Sequence, residues 1–267
     1  MLSNFHTHTT FCDGKNTPEE VVLTAIDKGF AALGFSGHAP TPSGSAYCMR
    51  DVAGYVAEIT RLQEKYRGRM QIYLGAEEDL IGPVERRQFD YIIGSSHYFV
   101  AEDRYLPIDS GRDLFQKCLE LFGGDPLALA ERYYQTFCDY ITARKPDIVG
   151  HFDLITKFDE MGASIFLKNP AYEKIAGKYL LQAAKSGCLF EVNTGAIARG
   201  ARTTPYPSEQ LLHLLKKEGA GLILSSDSHQ IETLDYFFAE SKKYLYDIGF
   251  RELYTLFDGR FVPYAIA

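Results

Sequence analysis

The sequence predicts an α/β fold built around a parallel sheet, and three observations indicate it. Short apolar segments alternate with longer amphipathic segments along the 267 residues. The apolar segments are continuous hydrophobic runs, which is typical of strands covered on both faces. The length suits one α/β barrel. We therefore expect a single domain over residues 1–267 with a closed or distorted barrel, and a doubly wound open sheet is the alternative.

The first strand is predicted at residues 2–5, and an amphipathic helix follows it. Thr17 and Glu20 can form a capping box at the start of this helix, and Pro18 suits its first position. Gly29 is expected to end the helix, because glycine accepts the backbone conformation that follows a last helical turn. The chain thus opens with one complete strand and helix unit.

Six further strands are predicted by the same apolar pattern, at residues 33–36, 71–75, 91–95, 147–150, 189–192 and 221–225. The helices between and after them are predicted at residues 51–67, 126–144, 170–186, 208–217 and 231–247, and a short tail ends the chain. Ser208 is expected to cap the fourth of these helices, and Gly219 is expected to end it. The pattern therefore contains seven strand and helix units.

Composition limits the partners of this protein. The sequence has 28 Lys and Arg residues against 35 Asp and Glu residues, a formal net charge of −7. An acidic surface argues against nucleic acid and anionic membranes as partners. Five cysteines without a Cys-x-x-Cys pair fit a reducing compartment. Because neither a secretory signal nor an apolar run of about 20 residues occurs, we expect a cytoplasmic protein. Nothing in the pattern predicts an oligomeric state.

Histidines and carboxylates recur where the predicted strands end. Parallel strands of a barrel end at one mouth, so these side chains are expected to share one volume. The candidates are His6, His8, Asp13, His38, Glu77, His97, His151, Asp227 and His229. Glu78 and Asp79 adjoin Glu77 and are expected to point elsewhere. His213 lies within a predicted helix and is expected to face solvent.

Two local spacings indicate a metal site. His6 and His8 are two residues apart, so their side chains point the same way in an extended chain, and Asp227 and His229 repeat this spacing. Imidazole and carboxylate together suit zinc, manganese or iron. Nine candidates exceed what one ion needs, so we expect two or three divalent ions. Such clusters are typical of phosphate-ester hydrolysis.

Seven short segments contain the candidate ligands, namely His6-Thr7-His8, Cys12-Asp13-Gly14, Ser36-Gly37-His38, Gly75-Ala76-Glu77, Gly94-Ser95-Ser96-His97, Val149-Gly150-His151 and Ser226-Asp227-Ser228-His229. Taken together, these motifs resemble the PHP (polymerase and histidinol phosphatase) family of metallophosphoesterases. Within the family, the chain looks most like the stand-alone histidinol-phosphate phosphatases. The supporting segments are Gly150-His151-Phe152-Asp153-Leu154-Ile155, Glu191-Val192-Asn193-Thr194 and Pro205-Tyr206-Pro207-Ser208.

The resemblance implies a distorted (β/α)7 TIM-like barrel with three metal ions. By position, the first ion would bind His6, His8, Glu77 and Asp227. Glu77 would bridge to a second ion on His97 and His151, and the third would bind Asp13, His38 and His229. A hydroxide that bridges the ions, which Asp227 could also contact, would attack phosphorus in line.

Other residues have predicted roles in substrate binding and proton transfer. Arg199 and Arg202 would bind the substrate phosphate. Asp153 would protonate the leaving group or position other side chains. The segment 98–111 would form a lid or a loop that packs its aromatic rings inward, and Asp109 within it would suit an amine.

The resemblance thus implies an enzyme that hydrolyses L-histidinol phosphate, a small phosphate ester. The alternatives are another PHP phosphatase acting on a nucleotide bisphosphate, a sugar phosphate or phosphotyrosine, and less favoured, a nuclease. A metal-dependent binding domain without turnover is a further alternative, although every expected ligand is present.

Overall fold

The computed structural model describes residues 1–101, 104–162 and 164–266. Its strands are β1 (Ser3–Asn4), β2 (Ala32–Phe35), β3 (Gln71–Asp79), β4 (Tyr91–Ser95), β5 (Tyr98–Ala101), β6 (Arg104–Pro107), β7 (Ile148–Val149), β8 (Leu189–Asn193), β9 (Leu222–Ser225), β10 (Glu252–Phe257) and β11 (Arg260–Ala265). The seven predicted strands are β1–β4 and β7–β9, and each pairs in parallel with the next.

The ring of parallel strands closes at the end where their carboxyl ends lie. Just beyond β1 and β9, Thr7 and Ser228 form a parallel bridge, and the His8 amide donates to the Ser228 carbonyl over 2.8 Å. Towards the opposite end, β10 lies against β9, with Tyr254 paired to Ile223. The predicted distorted (β/α)7 barrel is therefore confirmed, and the open sheet is wrong.

The helices cover the outside of the sheet. They are α1 (Pro18–Asp27), α2 (Val52–Lys65), α3 (Arg112–Glu120), α4 (Pro126–Arg144), α5 (Pro170–Ala184), α6 (Gly195–Ala198), α7 (Glu209–Glu218) and α8 (Phe238–Ile248). The predicted capping box of Thr17 and Glu20 is present, and Gly29 has a φ of +75° after the last turn of α1. Within the described ranges, no helix is long and apolar enough to cross a membrane.

Three predictions about local structure are wrong. The Ser208 side chain makes no capping hydrogen bond to α7; instead the Ser208 amide donates to Asp153 Oδ2 over 2.9 Å. The last helix begins at Phe238 rather than at 231, because residues 231–233 form a separate 3₁₀ turn. The expected tail is the antiparallel hairpin of β10 and β11.

A cluster of buried apolar side chains fills the space between the strands beneath the mouth. Tyr73 and Glu77 are four positions apart in β3, so their side chains lie on the same face of the strand. The apolar cluster that contains Tyr73 therefore lies directly under the polar residues of the mouth. Gly75, between them, makes room for the Tyr91 ring, because a Cβ there would lie 2.3 Å from a ring carbon. The Tyr91 hydroxyl donates to the Phe5 carbonyl over 2.6 Å. This packing fixes the heights at which the strands end.

A buried ion pair fastens α4 to β3. Glu78 is fully buried, and Arg144 donates to its two carboxylate oxygens, each over 2.7 Å. The Tyr140 hydroxyl and the Val84 amide donate to the same carboxylate over 2.8 Å. Glu78 therefore serves the fold and points away from the mouth, as the sequence predicts.

Replacing Arg144 with Ala is expected to lower the free energy of unfolding by about 1–2 kcal/mol, because it leaves a buried carboxylate with one partner fewer. The loss stays moderate because Tyr140 and Val84 still donate to Glu78. Urea denaturation measures it. Arg132→Ala, an exposed change on the same helix, is the matched control and should change stability little. Equal losses in the two variants would contradict the role of the ion pair.

Candidate metal centre

The nine predicted ligands converge at the mouth of the barrel. They lie in or just beyond β1, β2, β3, β4, β7 and β9, so residues far apart in sequence occupy one volume. In chain order they are His6, His8, Asp13, His38, Glu77, His97, His151, Asp227 and His229. Their convergence is observed, and their role as ligands stays a prediction. The remaining histidine, His213, is exposed on α7 beside Glu209, as predicted.

The nine side chains form four overlapping groups, each of which could hold a metal ion. Within each group, one ligand atom per residue lies within 4.8 Å of the others. The groups are His8, Asp13, His38 and His229; His6, Glu77 and His151; His6, His8 and Asp227; and His38, Glu77 and His97. Because the groups share members, the site can hold several ions side by side.

The groups resemble the ligand sets that the family resemblance implies. The three residues expected on the third ion share one group with His8, and His6, His8 and Asp227 of the first set form another. His97 and His151, expected together on the second ion, fall into two groups, each of which contains Glu77. Glu77 thus stands where a bridging carboxylate is expected.

Glu77 lies at the centre of the histidines. Its Oε2 is 2.8 Å from His38 Nδ1 and 3.1 Å from His6 Nε2. Its Oε1 is 3.1 Å from His151 Nε2 and 3.3 Å from His97 Nε2. Burial alone would raise the pKa of this carboxyl, but the neighbouring histidines, His6 foremost, hold it well below its usual range. Glu77 is therefore ionised, and each of its two oxygens faces two of the histidines.

Several buried nitrogen and oxygen atoms of the site lack hydrogen-bond partners and could instead bind a metal ion. Three buried atoms, His6 Nε2, His8 Nε2 and Glu77 Oε2, make no hydrogen bond although they lie close to other site atoms. Buried polar atoms nearly always have a hydrogen-bond partner. Burial, with His229 and His38 beside it, lowers the pKa of His8 to about 3. His8 is therefore neutral near pH 7, the form in which imidazole binds metals.

Two carboxylates outside the predicted set orient imidazoles of the site. Glu191 Oε1 accepts a hydrogen bond from His6 Nδ1 over 2.6 Å, and Asp79 Oδ2 is 3.2 Å from His97 Nδ1. Both rings consequently direct Nε2 towards Glu77. The expectation that Asp79 points elsewhere is wrong, because residues two apart in a strand share a face. Glu191, a lone carboxylate within an apolar strand, is part of a segment that supports the family resemblance, but the sequence predicts no role for it.

A cleft of about 300 Å³ opens beside this cluster, and Arg199 lines it as predicted. The Arg199 guanidinium donates to Asp227 Oδ2 over 2.9 Å while the side chain remains 40% exposed. Tyr47, Asp109 and Lys157 also line the cleft. Sequence reasoning missed Tyr47 and Lys157, which lie outside the strands in segments without a motif.

Asp153 and Arg202 lie behind the cleft instead of lining it. Both are buried, with Arg202 Nη1 3.9 Å from Asp153 Oδ2. The prediction for Asp153 assumed that the strand continues past His151, but β7 ends at Val149 and the chain turns there. The Ser208 amide donates to Asp153, so this carboxylate positions the neighbouring loop. The arrangement favours the positioning role for Asp153 and argues against phosphate contact by Arg202.

Part of the apolar surface of the segment 98–111 packs inward, whereas Tyr105 is 40% exposed. Its strands β5 and β6 pair in an antiparallel hairpin, and residues 102 and 103 lie outside the described ranges. Tyr98 and Phe99 are 3% and 2% exposed, so the inward-packing alternative is observed for them. Asp109, at the end of the segment, lines the cleft.

Comparison with known proteins places this site in a family. The PHP domain pattern matches residues 4–195. The probable histidinol-phosphatase of Schizosaccharomyces pombe is 30% identical, over 95% of this chain and 89% of that relative. The histidinol-phosphatase of Bacillus subtilis is 27% identical, over 86% and 94% of the two chains.

A solved structure shows the same fold. The histidinol phosphate phosphatase of Lactococcus lactis, complexed with zinc, L-histidinol and phosphate, superposes with a TM-score of 0.72 at 20% identity. The superposition covers 97% of this chain and 98% of that one. Because the family pattern matches most of its length and a relative is 30% identical along nearly all of it, the chain belongs to the PHP domain family.

Proposed function

We propose that this protein is a metal-dependent phosphomonoesterase that hydrolyses L-histidinol phosphate to L-histidinol and phosphate, a step of histidine biosynthesis. The convergence of six histidines and three carboxylates at the barrel mouth carries the proposal. The names of the S. pombe and B. subtilis relatives support the substrate, and so does the L-histidinol held by the L. lactis protein.

The nine residues at the mouth would hold two or three divalent ions of manganese, iron or zinc. Bound there, the ions would polarise the phosphoryl oxygens and supply an activated water molecule for attack on phosphorus. Arg199 would neutralise an outer phosphate oxygen, since its guanidinium is partly exposed in the cleft. The phosphate would thus lie between the ions and Arg199.

Asp227 would hold metal and orient the attacking water. Its backbone has a φ of +48°, in the left-handed region that non-glycine residues adopt at a cost. This conformation places Asp227 Oδ1 3.2 Å from His8 Nε2, while Oδ2 accepts the hydrogen bond from Arg199. Asp227 therefore connects the metal ligands to the phosphate-binding side chain.

The dimensions and charge of the site favour a small ester over nucleic acid. A cleft of about 300 Å³ is at the lower end for small-molecule sites. The net charge of −7 disfavours a long polyanion, whereas bound cations would reverse the charge locally.

The five cysteines are free, which supports a cytoplasmic location.

A substrate panel with metal analysis on the same preparation tests this function. We expect more than one ion per chain and a higher kcat/KM for L-histidinol phosphate than for a nucleotide bisphosphate, a sugar phosphate and phosphotyrosine. Equal kcat/KM values across the panel would overturn the assignment of L-histidinol phosphate as the substrate. A single bound ion would overturn the multinuclear site, and processive digestion of a DNA primer would favour a nuclease.

A further inference from the structure

Part of the cleft wall is formed by residues outside the four groups that could hold a metal ion, which are called the metal-binding groups below. Six of its lining residues lie outside those groups, namely Tyr47, Asp109, Ser110, Leu154, Lys157 and Arg199. Arg199 is on the Asp227 side, where it donates to that carboxylate. Asp109 is on the His97 side, because the amide of the preceding residue, Ile108, donates to the His97 carbonyl over 2.8 Å.

Asp109 is held firmly at this wall. Ile108 is fully buried, which fixes the backbone next to it. Lys157 Nζ donates to Asp109 Oδ2 over 2.9 Å, and the two side chains are 20% and 18% exposed. The Lys157 amide in turn donates to the Leu154 carbonyl over 2.9 Å. The carboxylate therefore faces the cleft with restricted freedom.

A carboxylate in the cleft of a phosphatase requires an explanation. It repels the dianionic phosphate, and among the six lining residues outside the metal-binding groups Asp109 is the only acid. It would likewise repel an ester whose alcohol carries a second anion. An ester whose alcohol carries an ammonium group instead gains a charge-assisted hydrogen bond there, while Arg199, beside Asp227, remains available to the phosphate.

We propose that Asp109 determines specificity by binding an ammonium group on the alcohol portion of the ester, and that Lys157 is a positioning residue that holds the Asp109 carboxylate in the cleft. This inference rests on the proposed phosphatase function. It extends that function to a substrate class, the phosphate esters of 2-amino alcohols, to which L-histidinol phosphate belongs.

The test compares two esters that differ only in the ammonium group, O-phosphoethanolamine and ethyl phosphate. In Asp109→Asn, the ratio of kcat/KM for the first ester to kcat/KM for the second is expected to fall about tenfold or more, since a hydrogen bond between charged groups is lost. Asp113→Asn removes the same charge from an exposed position on α3, and should leave the ratio unchanged. Metal content, measured on each variant, shows that the centre is intact.

Lys157→Met separates positioning from phosphate binding. A fall in the same ratio supports the positioning role, whereas equal losses on both esters would overturn it in favour of a phosphate contact. An unchanged ratio in Asp109→Asn overturns the ammonium subsite. The parent protein could show no preference for L-histidinol phosphate while the ratio still falls in Asp109→Asn. That result would reject L-histidinol phosphate as the substrate and support the ammonium subsite at Asp109.

Discussion

Replacing Glu77 with Gln is expected to lower kcat/KM for phosphate esters by between about 100-fold and a few thousand-fold and to reduce the number of bound metal ions. The change keeps the shape of the side chain and removes its charge. Loss of one charge from a buried network costs about 3–5 kcal/mol, and each 1.4 kcal/mol is about tenfold. Assays at saturating metal, with metal analysis of dialysed protein, measure both effects.

The large effect follows from the position of Glu77. Its two oxygens lie within 3.3 Å of nitrogens on four histidines, and it belongs to two of the four metal-binding groups. A neutral amide cannot bridge two cations as a carboxylate does. One substitution should therefore disturb two ions together, whereas a peripheral ligand such as Asp13, which belongs to one group, should disturb one.

Glu78→Gln is the matched control, because it removes the same charge from the neighbouring position of β3. Glu78 faces Arg144 on α4 and lies outside the metal-binding groups. This variant should unfold at lower urea concentration but keep its metal content and kcat. If Glu77→Gln retained its ions and more than a tenth of the parent activity, the proposed bridging role would be wrong.

The strand pattern was sufficient to predict a parallel sheet whose strands are covered on both faces, and the family resemblance selected the distorted barrel over the open sheet. Continuous apolar runs such as 91–95 leave little ambiguity, and polar residues directly after them must lie at the strand ends. The nine candidate ligands followed from that rule together with the family motifs. Boundaries were less certain where a short strand ends in a turn, as β7 does before Asp153.

The hairpin of β10 and β11 was missed, although its turn carries a signal. Asp258 and Gly259 both have positive φ, at 48° and 71°, as a two-residue turn between antiparallel strands requires. An Asp-Gly pair between two alternating segments predicts such a hairpin. The seven predicted strand and helix units account for the chain without this hairpin, which is why the sequence pattern predicts only a tail there.

The pairing of Lys157 with Asp109 in the cleft could not be predicted, since it depends on a contact between distant loops. Lys157 and Asp109 are 48 positions apart and meet only because β4 and β7 are neighbours in the barrel. No spacing in the sequence encodes that contact. By contrast, a partner for Glu191 could have been predicted, because a lone carboxylate in a strand buried on both faces must have a partner.

Replacing Glu191 with Gln is expected to weaken metal binding by about 10- to 100-fold, the usual effect of removing a group that orients a metal-binding histidine. The Glu191 side chain is fully buried, and it accepts hydrogen bonds from His6 Nδ1, the His151 amide and the Asn193 amide group over 2.6, 2.9 and 3.0 Å. Burial alone would raise the pKa of Glu191, but His6, His151 and Asn193 together outweigh burial and lower it, so the group is ionised.

An ionised carboxylate only accepts hydrogen bonds, so His6 Nδ1 carries the proton of this bond, and Nε2 would present its lone pair to the metal when an ion is bound. Gln can bind either tautomer, so the variant should lose this selection while keeping the packing. Competition with a chelator measures the loss. Glu209→Gln, which changes the exposed carboxylate beside His213, is the control and should bind metal like the parent. Parent-like affinity in folded Glu191→Gln would show that packing alone orients His6.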